Sequence, residues 1–387
     1  MLDQGDYMLG PFAEQRTRHY VLAVGQCLLF AALCAPLGAQ DSVVSVPDAP
    51  ACATCSLDVS AIVELGDREG PGTVGEQAYI RRSDDGDYYV SANLGDGRLL
   101  RFSPGGIFRD AIGRRGDGPG EYILPVLMGG TADSLTILDI RSFRLTTIRD
   151  NATATTSLPF IAGDFAMLPD GRHVYSAVVF EPDRIGHPLH LYDEASGEIT
   201  RSFGDEGVRV DRSSRSSSAL RRRVAVAEDA NIWAARSNRY RIDKWSADGD
   251  RIVRIERDAA WFRPWEEWPG VEYEVRPFAA IVGVRDWGNN LLMVVVRVAD
   301  AEWKPIRPTR ALLPGHESTM PGQQHELYDT VIEVLDTRLG TVVARTQVDV
   351  RVAGLVGRHG FYSYAEHSEL GEPKFIVWSV ELVGYSR

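Results

Sequence analysis

The sequence predicts an all-β protein, a six-bladed β-propeller built from four-stranded antiparallel blades. Short apolar strands alternate with turns rich in Gly and Asp, which is the pattern of β-hairpins. A unit of four such strands recurs along the chain, and repetition of this kind is typical of repeat architectures. The sequence lacks the sustained helical periodicity of an α/β protein. Four-stranded units arranged radially form a propeller.

The fourth copy of the unit shows the pattern most clearly. Residues 224–227 form an apolar run that leads into an acidic turn, and residues 231–235 form the next strand. Residues 240–245 alternate between apolar and polar side chains, as a half-buried strand does. A Gly-containing turn at 247–249 then leads to the last strand at 251–255. Each unit is therefore predicted to be a four-stranded antiparallel meander.

The two ends of the chain are predicted to share one blade. The sixth copy lacks its fourth strand, and residues 57–65 form a surplus strand ahead of the first copy. Pairing these segments closes the ring and removes two exposed sheet edges. The copies lie at about 78–112, 126–148, 165–203, 224–255, 278–336 and 352–378.

The N-terminal segment is predicted to be a signal peptide. Arg16, Arg18 and His19 precede an apolar run at 21–33, and small residues follow up to Ala39. The run has 13 residues and is too short to span a bilayer as a helix. The predicted parts of the chain are a signal peptide at 1–39, an N-terminal linker at 40–56, and the propeller at 57–387 with insertions near 261–275 and 303–328.

The mature protein is expected to be soluble, monomeric, and either periplasmic or secreted, with no transmembrane segment. Its cleavage site is predicted near Ala39. The formal net charge of the whole chain is -12, which makes nucleic acid an improbable partner.

Two cysteines, Cys52 and Cys55, remain after cleavage, and in an oxidising compartment they are expected to form a local disulfide. A haem attachment would need a histidine at Ser56, and a zinc site would need two further ligands.

A glycine-rich stretch, "IGRRGDGPGEY", at 112–122 has two interpretations. A phosphate-binding loop would lead into a helix and would usually carry a lysine, whereas this stretch leads toward another strand and has no lysine. Similar stretches follow strands at 65–72 and 203–207. The pattern favours a connector between blades, and Arg114 and Arg115 could contact an anion.

The same stretch carries a resemblance to a known group of proteins. The repeat pattern together with this loop resembles the exported bacterial six-bladed propellers related to NHL-repeat proteins, over residues 57–387. Those proteins often have the loop Gly-Arg-x-Gly-x-Gly-Pro-Gly-Glu followed by an aromatic residue. The resemblance implies the fold and export, but no single activity. The matching residues are Gly113, Arg114, Gly116, Gly118, Pro119, Gly120, Glu121 and Tyr122.

Two insertions carry most of the predicted ligand-binding residues. Trp261, Trp265 and Trp268 have the spacing of one face of a short helix, which would either pack on the propeller or form an aromatic lid. Trp303 opens the 303–328 insertion, which is predicted to be a rim loop that shapes partner specificity. The Arg- and Ser-rich run at 209–223 could bind an anionic polymer, but the pattern favours a solvated, flexible connection between blades.

The function predicted from these features is a non-enzymatic binding module. It would hold a peptide, glycan or protein partner through rim loops, using Arg114, Arg115, Trp261, Trp265, Trp268 and Trp303, with no cofactor. The alternative is a hydrolase or lyase of the lactonase type, which would hold a divalent cation such as Ca²⁺ in the central tunnel. The predicted inner strands are mostly apolar, with Asp164 as the main exception, and this disfavours a tunnel metal.

Overall fold

A computed structural model describes residues 42–385 with several gaps, and all structural statements below concern the described residues. The gaps are 94, 151, 205–219, 267–274, 306–309, 314–315, 319–326 and 369–370. The predicted signal peptide, Trp268, and most of the Arg- and Ser-rich run therefore lie outside the described residues. No helix among the described residues has the length and apolar character needed to cross a membrane.

The chain forms a six-bladed β-propeller, which confirms the predicted fold class. Two strands precede the first complete blade, and two short strands lie between blades 1 and 2. The strands are β1 (Ser42–Ser45) and β2 (Ser56–Leu65); blade 1, β3 (Ile80–Arg82), β4 (Tyr88–Ser91), β5 (Leu99–Phe102) and β6 (Phe108–Ile112); then β7 (Arg114–Arg115) and β8 (Glu121–Tyr122); blade 2, β9 (Pro125–Thr131), β10 (Ser134–Asp139), β11 (Arg144–Arg149) and β12 (Ala152–Ser157); and blade 3, β13 (Ile161–Met167), β14 (His173–Val178), β15 (Leu189–Asp193) and β16 (Glu198–Phe203).

The second half of the ring has the same design, with one hairpin inserted in blade 5. Blade 4 contains β17 (Arg222–Val226), β18 (Ile232–Arg236), β19 (Arg241–Trp245) and β20 (Arg251–Glu256); blade 5 contains β21 (Ala280–Gly288), β22 (Leu291–Ala299), β25 (Tyr328–Asp336) and β26 (Thr341–Val348), with the hairpin β23 (Arg310–Leu313) and β24 (His316–Ser318) between β22 and β25; and blade 6 contains β27 (Val352–Val356), β28 (Gly360–Glu366) and β29 (Pro373–Val383).

Strand β2 completes blade 6 and closes the ring, as predicted. It pairs antiparallel with β29, from Ser56 opposite Val383 to Leu65 opposite Phe375. Leu65 and Phe375 then pack with Ile80 of blade 1 in one buried cluster. The seam between the last blade and the first therefore has an apolar core, like the seams inside the ring.

Strand direction defines two faces of the propeller. The innermost strand of each blade begins at one face, called the upper face here, and ends at the lower face. Because each blade is a meander, the connections between blades and between the second and third strands of a blade lie at the upper face. The 112–122 stretch and the described residues of both predicted insertions consequently belong to this face.

The residues between β1 and β2 form a belt across the outside of blades 4 and 5. Strand β1 pairs parallel with β20, the outer strand of blade 4. Farther on, Asp48 contacts Arg257 and Arg345, and the Ala51 N–H donates to the Val342 carbonyl at 2.8 Å. Cys52 and Cys55 form a disulfide just before β2, with their Cα atoms 5.4 Å apart. The belt thus leads from blade 4 to the closing strand.

A buried ionic network holds the belt in place. The side chains of Arg257 and Glu333 are both fully buried. Glu333 accepts from Arg257 Nη1 at 2.5 Å, from Arg345 Nε at 2.5 Å and from the Tyr240 hydroxyl at 2.6 Å. Both arginines also reach Asp48 in the belt. One carboxylate of blade 5 therefore orients the two cations that bind the belt.

We predict that Glu333→Gln destabilises the protein by about 3–5 kcal/mol, because it leaves Arg257 in the core without its buried counter-charge. Urea unfolding followed by tryptophan fluorescence would measure the change. The matched control is Glu381→Gln on β29, whose side chain is exposed. If the free energy of unfolding falls by no more in Glu333→Gln than in the control, the network does not stabilise the fold.

Candidate functional site

The innermost strands surround a central channel, and strand alternation decides which side chains line it. Successive side chains of a strand point to opposite faces of the sheet. On β17, Val224 is buried in the core while its neighbour Arg223 lines the channel. On β21, Val284 is buried and Arg285 lines the channel. The channel surface is therefore formed by residues adjacent to the apolar core positions.

Five arginines line the upper compartment of this channel, a cavity of about 200 Å³. Among its described lining residues, Asp164 is the one carboxylate. The cavity therefore gathers positive charge inside a chain whose formal net charge is -12. The arginines are Arg81, Arg223, Arg285, Arg297 and Arg351.

These guanidinium groups have few acceptors. Among the described residues, none of the five forms an ion pair with a carboxylate. The Nε atoms of Arg223, Arg297 and Arg351 are buried without a hydrogen-bond partner. Arg81 donates to the Leu355 carbonyl at 3.2 Å. An unmade hydrogen bond of a buried charged donor is costly, so these atoms have unused binding capacity.

The carbonyl contacts of Arg285 and one aromatic contact of Arg81 complete the surroundings of these cations. Arg285 donates to the carbonyls of Gly357 at 3.2 Å and Val284 at 2.9 Å. The guanidinium of Arg81 lies 5.3 Å from the centre of the Phe165 ring. Aromatic faces and backbone carbonyls hold the cations in position but do not neutralise them.

The positive charges of the channel arginines repel one another. Burial, together with the like charge of Arg81, lowers the pKa of Arg285 to about 10. Burial and the charge of Arg297 likewise lower the pKa of Arg351 to about 10. Both groups remain cationic at neutral pH, because these values are well above 7. The upper compartment is therefore a positively charged cavity that favours anions.

Asp164 serves mainly to link two blades. Its Oδ1 accepts from its neighbour's N–H, that of Phe165, at 3.0 Å, and its Oδ2 accepts from the Val224 N–H at 3.1 Å. The second bond joins the innermost strands of blades 3 and 4. Both carboxylate oxygens are thus engaged by backbone donors, and Asp164 forms no ion pair with the described arginines of the channel.

The lower mouth is larger and more balanced in charge. A cavity of about 510 Å³ opens there and shares Arg81, Phe165 and Arg285 with the upper compartment. At this mouth Arg358 forms ion pairs with Glu228 and with Asp286. Arg358 therefore has carboxylate partners, in contrast to the five arginines of the upper compartment. The unpaired positive charge is concentrated in the upper compartment.

The upper compartment does not fit the divalent cation considered for a lactonase-like enzyme. A calcium ion is held by several oxygen ligands, usually including carboxylates. Among the described residues of the upper compartment, one carboxylate faces five guanidinium groups, which would repel a cation. The donors present suit an anion instead.

The sequence identified the inner strands but missed their arginines by one to three positions. The apolar runs predicted for inner strands at 78–80 and 224–226 lie next to Arg81 and Arg223, and Arg351 lies two residues before the run 353–355. Arg285 lies three residues beyond the run 279–282. The available signal was an arginine alternating with core residues at each of these strands. Arg297 lies on a second strand and gives no such signal.

The glycine-rich stretch forms a connector between blades 1 and 2 that is held by contacts within the stretch. Arg114 binds Glu121 through Nε at 2.9 Å and Nη2 at 2.8 Å, and Glu121 Oε2 accepts from the Gly118 N–H at 2.9 Å. Gly113 has φ of 80°, and a Cβ there would lie 2.5 Å from the ring of Tyr122. Both arginines are exposed, and the guanidinium of Arg114 is already bound within the stretch.

The tryptophans lie in different environments. Residues 260–266 form a turn and an irregular segment, so the predicted helix is not formed over these residues. Trp265 is buried, and its indole N–H donates to the Ala279 carbonyl at 2.9 Å. Trp261 donates to Asp48 at 3.2 Å and lines a groove of about 750 Å³ along blade 5, with Phe278 and Gln347 among the other lining residues. Trp303 is half-buried.

Comparison with known proteins supports the architecture. No protein-family model matches the chain, and no curated protein matches it by sequence. The chain is similar to the solved structure of a predicted exported protein from Bacteroides fragilis, with a TM-score of 0.56 and 12% identity, covering 88% of this chain and 99% of that one. At this identity the similarity shows the propeller fold.

Two further solved structures are similar at lower TM-scores. A Bacteroides thetaiotaomicron protein of unknown function has a TM-score of 0.45 and 12% identity, over 84% of this chain and 76% of that one. Virginiamycin B lyase from Staphylococcus aureus has a TM-score of 0.41 and 10% identity, over 84% of this chain and 99% of that one. Neither assigns an activity to this chain.

We predict that Arg114→Ala raises the pKa of Glu121. The Gly118 N–H and then Arg114 lower the pKa of this carboxyl, so losing one donor removes part of the effect. The pKa should stay below its ordinary value because the Gly118 N–H remains. Carbon-detected NMR titration of labelled glutamate would measure it, with Arg115→Ala as the control. An unchanged pKa in Arg114→Ala would contradict the observed pairing.

We also predict that Arg351→Gln stabilises the ligand-free protein by roughly 1 kcal/mol, because it relieves repulsion and removes a buried donor that lacks an acceptor. Thermal unfolding at low ionic strength would detect the change. Arg338→Gln, in an exposed turn at the lower face, is the control. Destabilisation of Arg351→Gln relative to this control would mean that the arginine has a structural role.

Proposed function

We propose that this protein is an exported binding protein whose central channel takes an anionic ligand. The main support for this proposal is the set of five channel arginines, which form no ion pair among the described residues. Holding several like charges in an enclosed cavity is unfavourable unless a counter-charge is bound. A ligand with acidic groups would supply that counter-charge.

The chemistry of the cavity supports carboxylate, phosphate or sulfate groups. A guanidinium presents its donors as a planar fork that matches two oxygens of such a group. Arg223, Arg297 and Arg351 each have an unsatisfied Nε–H. Several donors with unused capacity can therefore share one multiply charged group or bind two neighbouring ones.

The size of the cavity limits what enters it. About 200 Å³ accommodates a small acid or the acidic end of a longer molecule, but not a folded domain. A longer glycan or peptide would continue over the upper face. The predicted contacts at Arg115, Trp261 and Trp303 then remain candidates for its outer part, with the channel binding the acidic end.

Binding is better supported than acid–base catalysis at this site. Among the described residues of the upper compartment, Asp164 is the one carboxylate, and backbone N–H groups already donate to both of its oxygens. A general base needs a free acceptor within reach of a substrate proton. The hydrolase or lyase alternative stays a prediction from sequence.

Isothermal titration calorimetry would test the proposal. The probes are trigalacturonate for carboxylate, inositol hexakisphosphate for phosphate and a heparin oligosaccharide for sulfate. We expect at least one to bind, with affinity that falls as salt increases, since exposed charges are screened. Arg285→Gln and Arg351→Gln should each weaken binding by about tenfold or more, in line with the loss of a charged hydrogen bond.

Two controls distinguish the channel from the rim. Arg338→Gln at the lower face should bind like the wild type. If Arg115→Gln abolishes binding while Arg285→Gln does not, the ligand is held by the rim loops and not by the channel. Equal binding by all variants would overturn the proposal.

A further inference from the structure

Three aspartates converge at the upper edge of blade 5, away from the channel arginines. Strands β22, β25 and β26 are adjacent, and antiparallel pairing brings the end of β22, the start of β25 and the end of β26 to the same edge. Asp300 follows β22, Asp329 is the second residue of β25, and Asp349 follows β26. One carboxylate oxygen from each lies within 4.8 Å of the other two.

The central aspartate has an unsatisfied oxygen. Asp329 is 4% exposed. Its Oδ2 accepts from the Ala301 N–H at 3.2 Å and from Gln347 Nε2 at 2.6 Å. Its Oδ1 is buried and has no hydrogen-bond partner in the part of the chain that the structure describes. Burying a carboxylate oxygen without a hydrogen-bond donor costs free energy, and a cation bound there would replace the missing donor.

The neighbouring charges do not neutralise this carboxylate. Burial raises the pKa of Asp329, and the like charges of Asp300 and Asp349 add to that effect. Among the described residues, none of the three aspartates forms an ion pair with an arginine or lysine. Arg297 and Arg351 are near in sequence, but they line the channel instead.

We propose that Asp300, Asp329 and Asp349 form a calcium site at the upper edge of blade 5. Calcium binds oxygen ligands at 2.3–2.6 Å, so two ligands on opposite sides of the ion lie about 4.6–5.2 Å apart. Three oxygens within 4.8 Å of one another can therefore all reach one ion. Asp349 is exposed and Asp300 is half-buried, which leaves room for water to complete the coordination.

The ion would fasten the base of the largest insertion. Asp300 and Asp329 lie at the two ends of the connection between β22 and β25, and Asp349 lies on the adjacent strand end. A bound ion would join both ends of this connection to β26. The site is separate from the channel and does not depend on the proposed anion binding.

Calcium titration of the purified protein after treatment with EDTA tests the site. Calcium in the millimolar range should raise the midpoint of thermal unfolding, because a ligand that binds only the folded state stabilises it. Asp349→Asn should weaken calcium binding by about tenfold or more, and Asp329→Asn should abolish the shift. Asp133→Asn, an exposed aspartate in the turn of blade 2, is the matched control.

Terbium luminescence gives a second readout that does not depend on stability. Tyr328 is the neighbour of Asp329, and the backbone N–H of Trp303 donates to the Asp300 carbonyl at 3.2 Å. Both aromatic residues are therefore near enough to sensitise a bound lanthanide. We expect emission that calcium displaces and that Asp349→Asn reduces. An equal calcium response in the wild type and Asp349→Asn would overturn the site. Tighter binding of magnesium than of calcium would overturn the assignment of the ion.

Discussion

The pairing of β2 with β29 is the interaction on which the rest of the molecule depends. Each blade has an apolar face toward each neighbour, so an open ring would expose two of them. The closing strand fills this gap with Leu65, which packs in one cluster with Phe375 and Ile80. The belt between β1 and β2 adds a second closure on the outside, fixed by Asp48 and the buried network around Glu333. Closure therefore joins residues from both ends of the chain.

A closed ring makes an unfavourable channel tolerable. Six innermost strands face one another across a small space, and their inward positions must be compatible with that proximity. Here five of the lining residues are arginines, which repel one another. Burial of the apolar faces elsewhere in the ring supplies the stability that holds them there, a common arrangement at functional sites. The same rigidity would hold the donors ready for an anion.

Local sequence signals succeeded where a residue's role depends on its own strand or turn. The blade copies, the surplus strand at 57–65 and the connector character of 112–122 all follow from alternation and turn residues. The tryptophan segment is different: its helical spacing competes with tertiary contacts, in which Asn238 binds the Trp265 carbonyl and Asp48 binds Trp261. Those partners lie far away in sequence, so spacing alone did not predict them.

The sequence by itself determined the fold class, the number of blades and the strand that closes the ring, because apolar alternation and turn chemistry act over a few residues. Only the tertiary structure decided where charge accumulates. Arg81 and Arg351 are 270 positions apart, and Asp300 and Asp349 are 49 apart, yet the ring brings the first pair into one cavity and blade 5 brings the second pair to one edge. Electrostatic interactions depend on the distances between charges in space, and the closed ring sets those distances.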